Sequence, residues 1–112
     1  MTTFKSIAPI IYCSSIAEAK AFWQNLDWNI IAEMPNYLIV GHSQLDFHYS
    51  NEIPQTVSMV YLEPADVVAL HTEYKAKGVE VTGLVDQPYG MREFNLLDPF
   101  GNHFGFGSVI PE

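Results

Sequence analysis

The segment PYGMREFNLLDPFGNHFGFG, Pro88 to Gly107, decides the fold. Two runs of alternating apolar and polar residues flank Asp98-Pro99-Phe100-Gly101-Asn102, and alternation at a period of two marks half-buried strands. In the turn, Pro99 fixes one φ angle, Gly101 permits a positive φ, and Asp98 and Asn102 carry side chains that can bond nearby backbone. The segment predicts strand, tight turn, strand. Phe94, Leu96, Phe104 and Phe106 fall on the core side; Glu93, Asn95, His103, Gly105 and Gly107 fall on the other.

Upstream of this hairpin, residues 57–62 read as a strand and Pro64-Ala65-Asp66 as a turn and cap. Val67, Leu70, Tyr74 and Lys77 then mark a helical face that Gly78 stops, and residues 79–85 contain a short strand. The first half follows the same plan. Residues 6–13 predict a strand with an irregular beginning at Pro9, Ser14-Ser15 a cap, and Ile16, Ala19, Phe22, Trp23 and Leu26 one helical face. Strands follow over 28–34, 37–41 and 45–49. At an offset of 51 residues Ile11 falls on Leu62, Ile16 on Val67, Ala19 on Leu70, Trp23 on Tyr74 and Trp28 on Val79. The chain is therefore expected to be α+β, one domain over 1–112 built from two tandem βαβββ modules, 1–50 and 56–108, with a hinge near 50–55. One helix covers one face of four strands, so the predicted curved mixed sheet has its helices outside and a concave face left for a ligand or a partner.

Bulk properties narrow the function. Five basic against thirteen acidic residues give a net charge of −8, which repels nucleic acid and anionic membranes. No apolar run approaches the roughly 20 residues of a membrane span, and Met1-Thr2-Thr3-Phe4-Lys5 lacks the plan of a signal peptide, so the expected location is cytoplasmic. The single cysteine, Cys13, sits in an apolar run as a small buried hydrophobe. No phosphate loop, nucleophile elbow or His-Glu-x-x-His pattern occurs; His71 reads as a solvated side chain, and Arg92-Glu93 either orients a substrate or is an exposed cross-strand pair.

The duplicated plan closed by Asp98-Pro99-Phe100-Gly101-Asn102 resembles the vicinal oxygen chelate superfamily of glyoxalases, extradiol dioxygenases and bleomycin resistance proteins. Pro9-Ile10-Ile11 ahead of Ser15-Ile16, Phe22-Trp23, Leu45-Asp46-Phe47-His48, Pro88-Tyr89-Gly90 and Arg92-Glu93-Phe94 bring it closer to the bleomycin resistance proteins. Enzymes of the superfamily hold a divalent metal with His and Glu on the first and last strands of each module. The positions that the resemblance assigns to those ligands read Ala8, His48, Met59 and Gly105, one donor in four, and a metal needs three or four. The resemblance thus implies no metal, no cofactor and no catalytic residue. It implies a homodimer, with exchanged strands or arms, that sequesters a small molecule such as a bleomycin-class antibiotic; the alternative is a metal-dependent enzyme of the glyoxalase or dioxygenase type.

Strand parity gives the expected ligand face: Tyr12, Asp46 and His48 from the first module, and Met59, Tyr61, Glu63, Glu93, Asn95, His103 and Gly105 from the second, with Gly105 and Gly107 leaving room. Aromatic walls, flexible Met and several acceptors suit a planar or cationic ligand.

Overall fold

The computed structural model describes residues 1–112 and divides into two compact units, Met1–Thr56 and Val57–Glu112. The first holds β1 (Ile10–Tyr12), α1 (Ile16–Asn25), β2 (Asn29–Met34), β3 (Tyr37–His42) and β4 (Leu45–Ser50). Its sheet runs β1-β4-β3-β2, with β1 parallel to β4 and the other pairs antiparallel. The Ser15 hydroxyl accepts the Glu18 N–H at 3.1 Å and so starts α1. The helix ends because Asp27 adopts φ 64, which lets its N–H reach the Gln24 carbonyl at 3.1 Å and the Trp28 N–H reach that of Trp23 at 3.0 Å. Between these caps Ile16, Ala19, Trp23 and Leu26 are buried together with Leu38, Val40, Phe47 and Tyr49, the alternate residues of β3 and β4. Cys13 is fully buried, as its apolar surroundings in the sequence predict.

The second unit holds β5 (Met59–Leu62), α2 (Val67–Ala76), β6 (Val85–Asp86), β7 (Met91–Leu97) and β8 (His103–Val109), in the order β5-β8-β7-β6 with β5 parallel to β8. Asp66 caps α2 by accepting the Ala69 N–H at 3.0 Å, and Gly78 ends it at φ 79. Both events lie 51 residues after their counterparts, Asp66 after Ser15 and Gly78 after Asp27, so the repeat extends to the helix ends. Val67 and Tyr74 are the buried residues of α2, and Tyr74 meets Phe94 and Phe106 edge-on while the rings of those two stack at 5.2 Å.

The Asp98–Asn102 turn is a buried hydrogen-bonded knot. Asp98 Oδ1 accepts the N–H groups of Phe100 (3.0 Å) and Asn102 (2.8 Å), and Oδ2 accepts from Asn102 Nδ2 at 2.8 Å. Asn102, fully buried, turns its own Oδ1 to the Ser58 N–H at 3.0 Å and so ties the turn to the entry of β5. Gly101 takes φ 84, the positive value expected of it.

Three readings need correction. The first strand begins only at Ile10, although Pro9 still offers its carbonyl to the His48 N–H at 2.9 Å. The strand expected within 79–85 shrinks to Val85–Asp86 and a lone bridge from Val81 to Leu96. There the Thr82 hydroxyl accepts the Asn95 N–H at 2.8 Å in place of a backbone carbonyl, which interrupts the ladder. The Thr82 carbonyl instead lies 2.9 Å from His71 Nε2, so His71, its ring edge-on to Phe94, is a packed and bonded side chain and not a solvated one.

Candidate functional site

Each helix covers one side of its sheet, and the chemistry gathers on the side it leaves open. In the first unit the register sets Ile10 and Ile39 on either side of His48, Gly41 beside Asp46, and Tyr12 and Tyr37 on either side of Ser50. Tyr12, Asp46 and His48 therefore share the face that parity assigned them. His48 is held at both ring nitrogens: Nδ1 lies 2.5 Å from the Tyr37 hydroxyl and Nε2 lies 3.2 Å from Asp46 Oδ1. The Tyr37 ring also meets the imidazole edge-on at 5.3 Å.

In the second unit Tyr61 and Asn95 flank Gly105, Met59 lies beside His103, and Glu93 lies beside Gly107. The two glycines do not leave an empty slot, which corrects the sequence reading. A Cβ on Gly105 would meet Tyr61 Cδ2 at 3.3 Å, and one on Gly107 would meet Tyr61 Cζ at 2.9 Å, because the Tyr61 ring lies flat across both. Its hydroxyl donates to Glu93 Oε2 at 2.7 Å, and the Tyr89 hydroxyl donates to Glu93 Oε1 at 2.6 Å. Desolvation of the phenol, the bond to Glu93, and the charges of Glu93, Tyr89 and Glu63 push the Tyr61 pKa up to about 12. Tyr89 is raised chiefly by its own bond to Glu93. Glu63 stands just past β5, exposed, and acts on Tyr61 through its charge. Arg92 points to the other side of its strand and makes a forked pair with Asp86 at 2.7 and 3.1 Å, which lowers the Asp86 carboxyl.

The phenol contribution has a definite sign. The folded state prefers the protonated Tyr61, so its stabilisation is complete below the ordinary phenol value of about 10 and is lost as pH rises toward about 12. In a titration of phenolate absorbance, one tyrosine is expected to ionise only near pH 12. Gly107→Ala, which must displace the ring, is expected to return that tyrosine toward the value of about 10 seen in free phenols. An unchanged titration in that variant would show that Tyr61 does not depend on the glycine.

Sequence reasoning missed Ile10, Tyr37 and Tyr89. Tyr37 has the parity of Ile39 on its own strand, so alternation alone could have placed it. Tyr89 precedes β7, where alternation carries no information.

The superfamily's metal chemistry requires a donor set, and these residues do not fit one. Ala8 lies outside β1, and Met59 stands opposite His103, not Gly105. The true first-strand neighbours are Ile10 beside His48 and Tyr61 beside Gly105. No three His, Cys, Asp or Glu side chains come together as a metal-binding group, and the one imidazole of the set has both nitrogens engaged.

The family model of the Glyoxalase/Bleomycin resistance protein/Dioxygenase superfamily matches residues 3–106. Among curated proteins none matches the sequence. Solved structures do. The bleomycin resistance determinant encoded on the transposon Tn5 superposes with a TM-score of 0.85 at 14% identity, over 96% of this chain and 100% of that one. The bleomycin-binding protein from Streptomyces verticillus, solved with copper(II)-bleomycin, gives 0.79 at 24% identity over the whole of both chains. A lactoylglutathione lyase from Agrobacterium tumefaciens gives 0.78 at 16% identity over 95% of each. At these identities the likeness establishes the fold, which a binder and a lyase share.

Proposed function

The chain belongs to the Glyoxalase/Bleomycin resistance protein/Dioxygenase superfamily, and from that premise we propose that it binds a small aromatic or cationic molecule without transforming it, a bleomycin-class glycopeptide being the first to try. The observation that carries this reading is the residue pair at each first-strand and last-strand position, Ile10 with His48 and Tyr61 with Gly105. A hydrocarbon, a phenol, a glycine and one imidazole with both nitrogens engaged stand where an enzyme of the superfamily offers metal ligands. Each unit offers its own open sheet face, Tyr12 with Asp46 in the first and Tyr61 with Glu93 in the second, where a tyrosine supplies flat apolar surface and a carboxylate, with the net charge of −8, favours a cation. Arg92, the single arginine, points away and is neutralised by Asp86, which disfavours an anionic ligand.

The working form is a homodimer. Phe4 and Ile7, ahead of β1, are 90% and 96% exposed, and Ile10 is half exposed. A row of such side chains supports burial against a second copy. Sedimentation is expected to give twice the 12.6 kDa chain mass.

A thermal-shift titration with bleomycin tests the binding claim. Ligand at 100 times its dissociation constant stabilises the native state by about 2.7 kcal/mol, which moves the melting temperature by several degrees. No shift with bleomycin or with unrelated planar cations would overturn the proposal. So would metal analysis that found one divalent ion per chain held by protein side chains.

A further inference from the structure

We propose that Asp46, His48 and Tyr37 form a proton relay that makes Tyr37 the nucleophilic phenol of this chain, reactive toward activated acyl compounds such as aryl esters and acyl imidazoles. This goes beyond ligand binding, in which Tyr37 has no part, although Asp46 and His48 belong to both readings. An ionised Asp46 can only accept, so Nε2 of His48 must carry the proton that bonds it at 3.2 Å. In the neutral ring Nδ1 is then bare, and the 2.5 Å contact to Tyr37 can only be the phenol donating to it. The order is Tyr37 O–H to Nδ1, then Nε2–H to carboxylate. This is the logic of a nucleophile oriented on a base that a carboxylate fixes in one tautomer, with a phenol as the nucleophile.

The step balances within these groups and the acyl donor. Tyr37 Oη attacks the acyl carbon while its proton passes to His48 Nδ1; the bond to the leaving group breaks, and the departing group takes the electron pair and then the proton from Nδ1. An acyl-tyrosine, a protonated leaving group and the original imidazole remain. The residues lie on the open face of the sheet, Tyr37 and His48 half-buried and Asp46 exposed.

The second unit supplies the internal control. Tyr61 and Tyr89 donate to a carboxylate, Glu93, which holds both phenols protonated instead of drawing the proton off onto a base that can return it. They are nevertheless the more exposed tyrosines, at 55% and 66%. Accessibility alone predicts that they react before Tyr37, and the relay predicts the reverse.

The test is acetylation of the intact chain by N-acetylimidazole at neutral pH, with each tyrosine followed by peptide mass spectrometry. Tyr37 is expected to acetylate at least about tenfold faster than Tyr61 and Tyr89, a modest share of what a positioned base can supply. His48→Gln should bring Tyr37 down to their rate, and Asp46→Ala, which frees the tautomer, should slow it several-fold. Both variants alter the face opposite the core, and thermal unfolding verifies that each is folded. If Tyr37 reacts no faster than Tyr89, or if either variant leaves its rate unchanged, the proposal is overturned. Because no bleomycin enters the assay, its outcome is separate from that of the binding titration.

Discussion

In urea, Trp23→Ala is expected to lose about 3–5 kcal/mol of folding free energy, the range for deleting a fully buried large aromatic. Trp23 has no exposed surface. Its ring meets Phe22, Trp28 and Phe47 edge-on at centroid distances of 5.2, 5.0 and 5.1 Å, so truncation removes one side of three aromatic pairs at once. Its indole N–H donates to the Tyr49 hydroxyl at 2.8 Å, and the substitution takes that donor from a fully buried oxygen. Against a total stability of order 5–15 kcal/mol the loss is a large share, and the urea midpoint should fall by more than about 1 M. Trp23→Phe, which keeps most of the ring contacts and loses only the donor and part of the volume, should cost less than half as much. A fall in stability of under about 1 kcal/mol for the alanine variant would mean that the first unit's core tolerates a cavity that close-packed interiors do not.

The second large effect is expected at Asp98. Alanine there leaves three donors without their acceptor: the Phe100 N–H, the Asn102 N–H and Asn102 Nδ2. A hydrogen bond to a charged group contributes about 1.5–3 kcal/mol and two of the three bonds to the Asp98 carboxylate are buried, so a loss of about 3 kcal/mol or more is expected from chemical denaturation. Hydrogen exchange gives a more specific readout. Asn102 is held by Asp98 and in turn holds the Ser58 N–H, so the Ser58 amide should exchange faster in Asp98→Ala although it lies 40 residues away in sequence. Pro99→Ala, which touches none of these bonds, should leave Ser58 protection in place. Equal exchange at Ser58 in wild type and Asp98→Ala would refute the chain of support from turn to strand.

The same turn explains why the hairpin was readable in advance. Asp98, Gly101 and Asn102 act on backbone a few residues away, and local chemistry is written in local sequence. What the letters do not state is that Asn102 also bonds Ser58, because that partner is brought by the fold. The helices were readable for a like reason, since Ser15 and Asp66 cap the turns that follow them. Residues 79–85 misled because β-branched composition argues for a strand, while the Thr82 side chain competed with the backbone for the Asn95 N–H. On the open faces, alternation gave the side of the sheet for Tyr12, His48, Tyr61 and Glu93. It could not give rotamers. That Tyr61 bends across two glycines, or that Tyr37 reaches diagonally to His48, depends on χ angles set by neighbours on other strands.

The glycines under Tyr61 have a mechanical consequence. At most positions on a sheet face the relief of the surface is made by the side chains of the strand beneath it. Over Gly105 and Gly107 the relief is lent by a neighbouring strand, through one side chain tethered at its tip to Glu93. Rotating Tyr61 about χ1 forfeits that single tether, about 1.5–3 kcal/mol for a bond to a charged group, and uncovers a trough along β8 with no backbone displacement. Clearing the floor of this face therefore takes one torsion angle and the loss of one hydrogen bond.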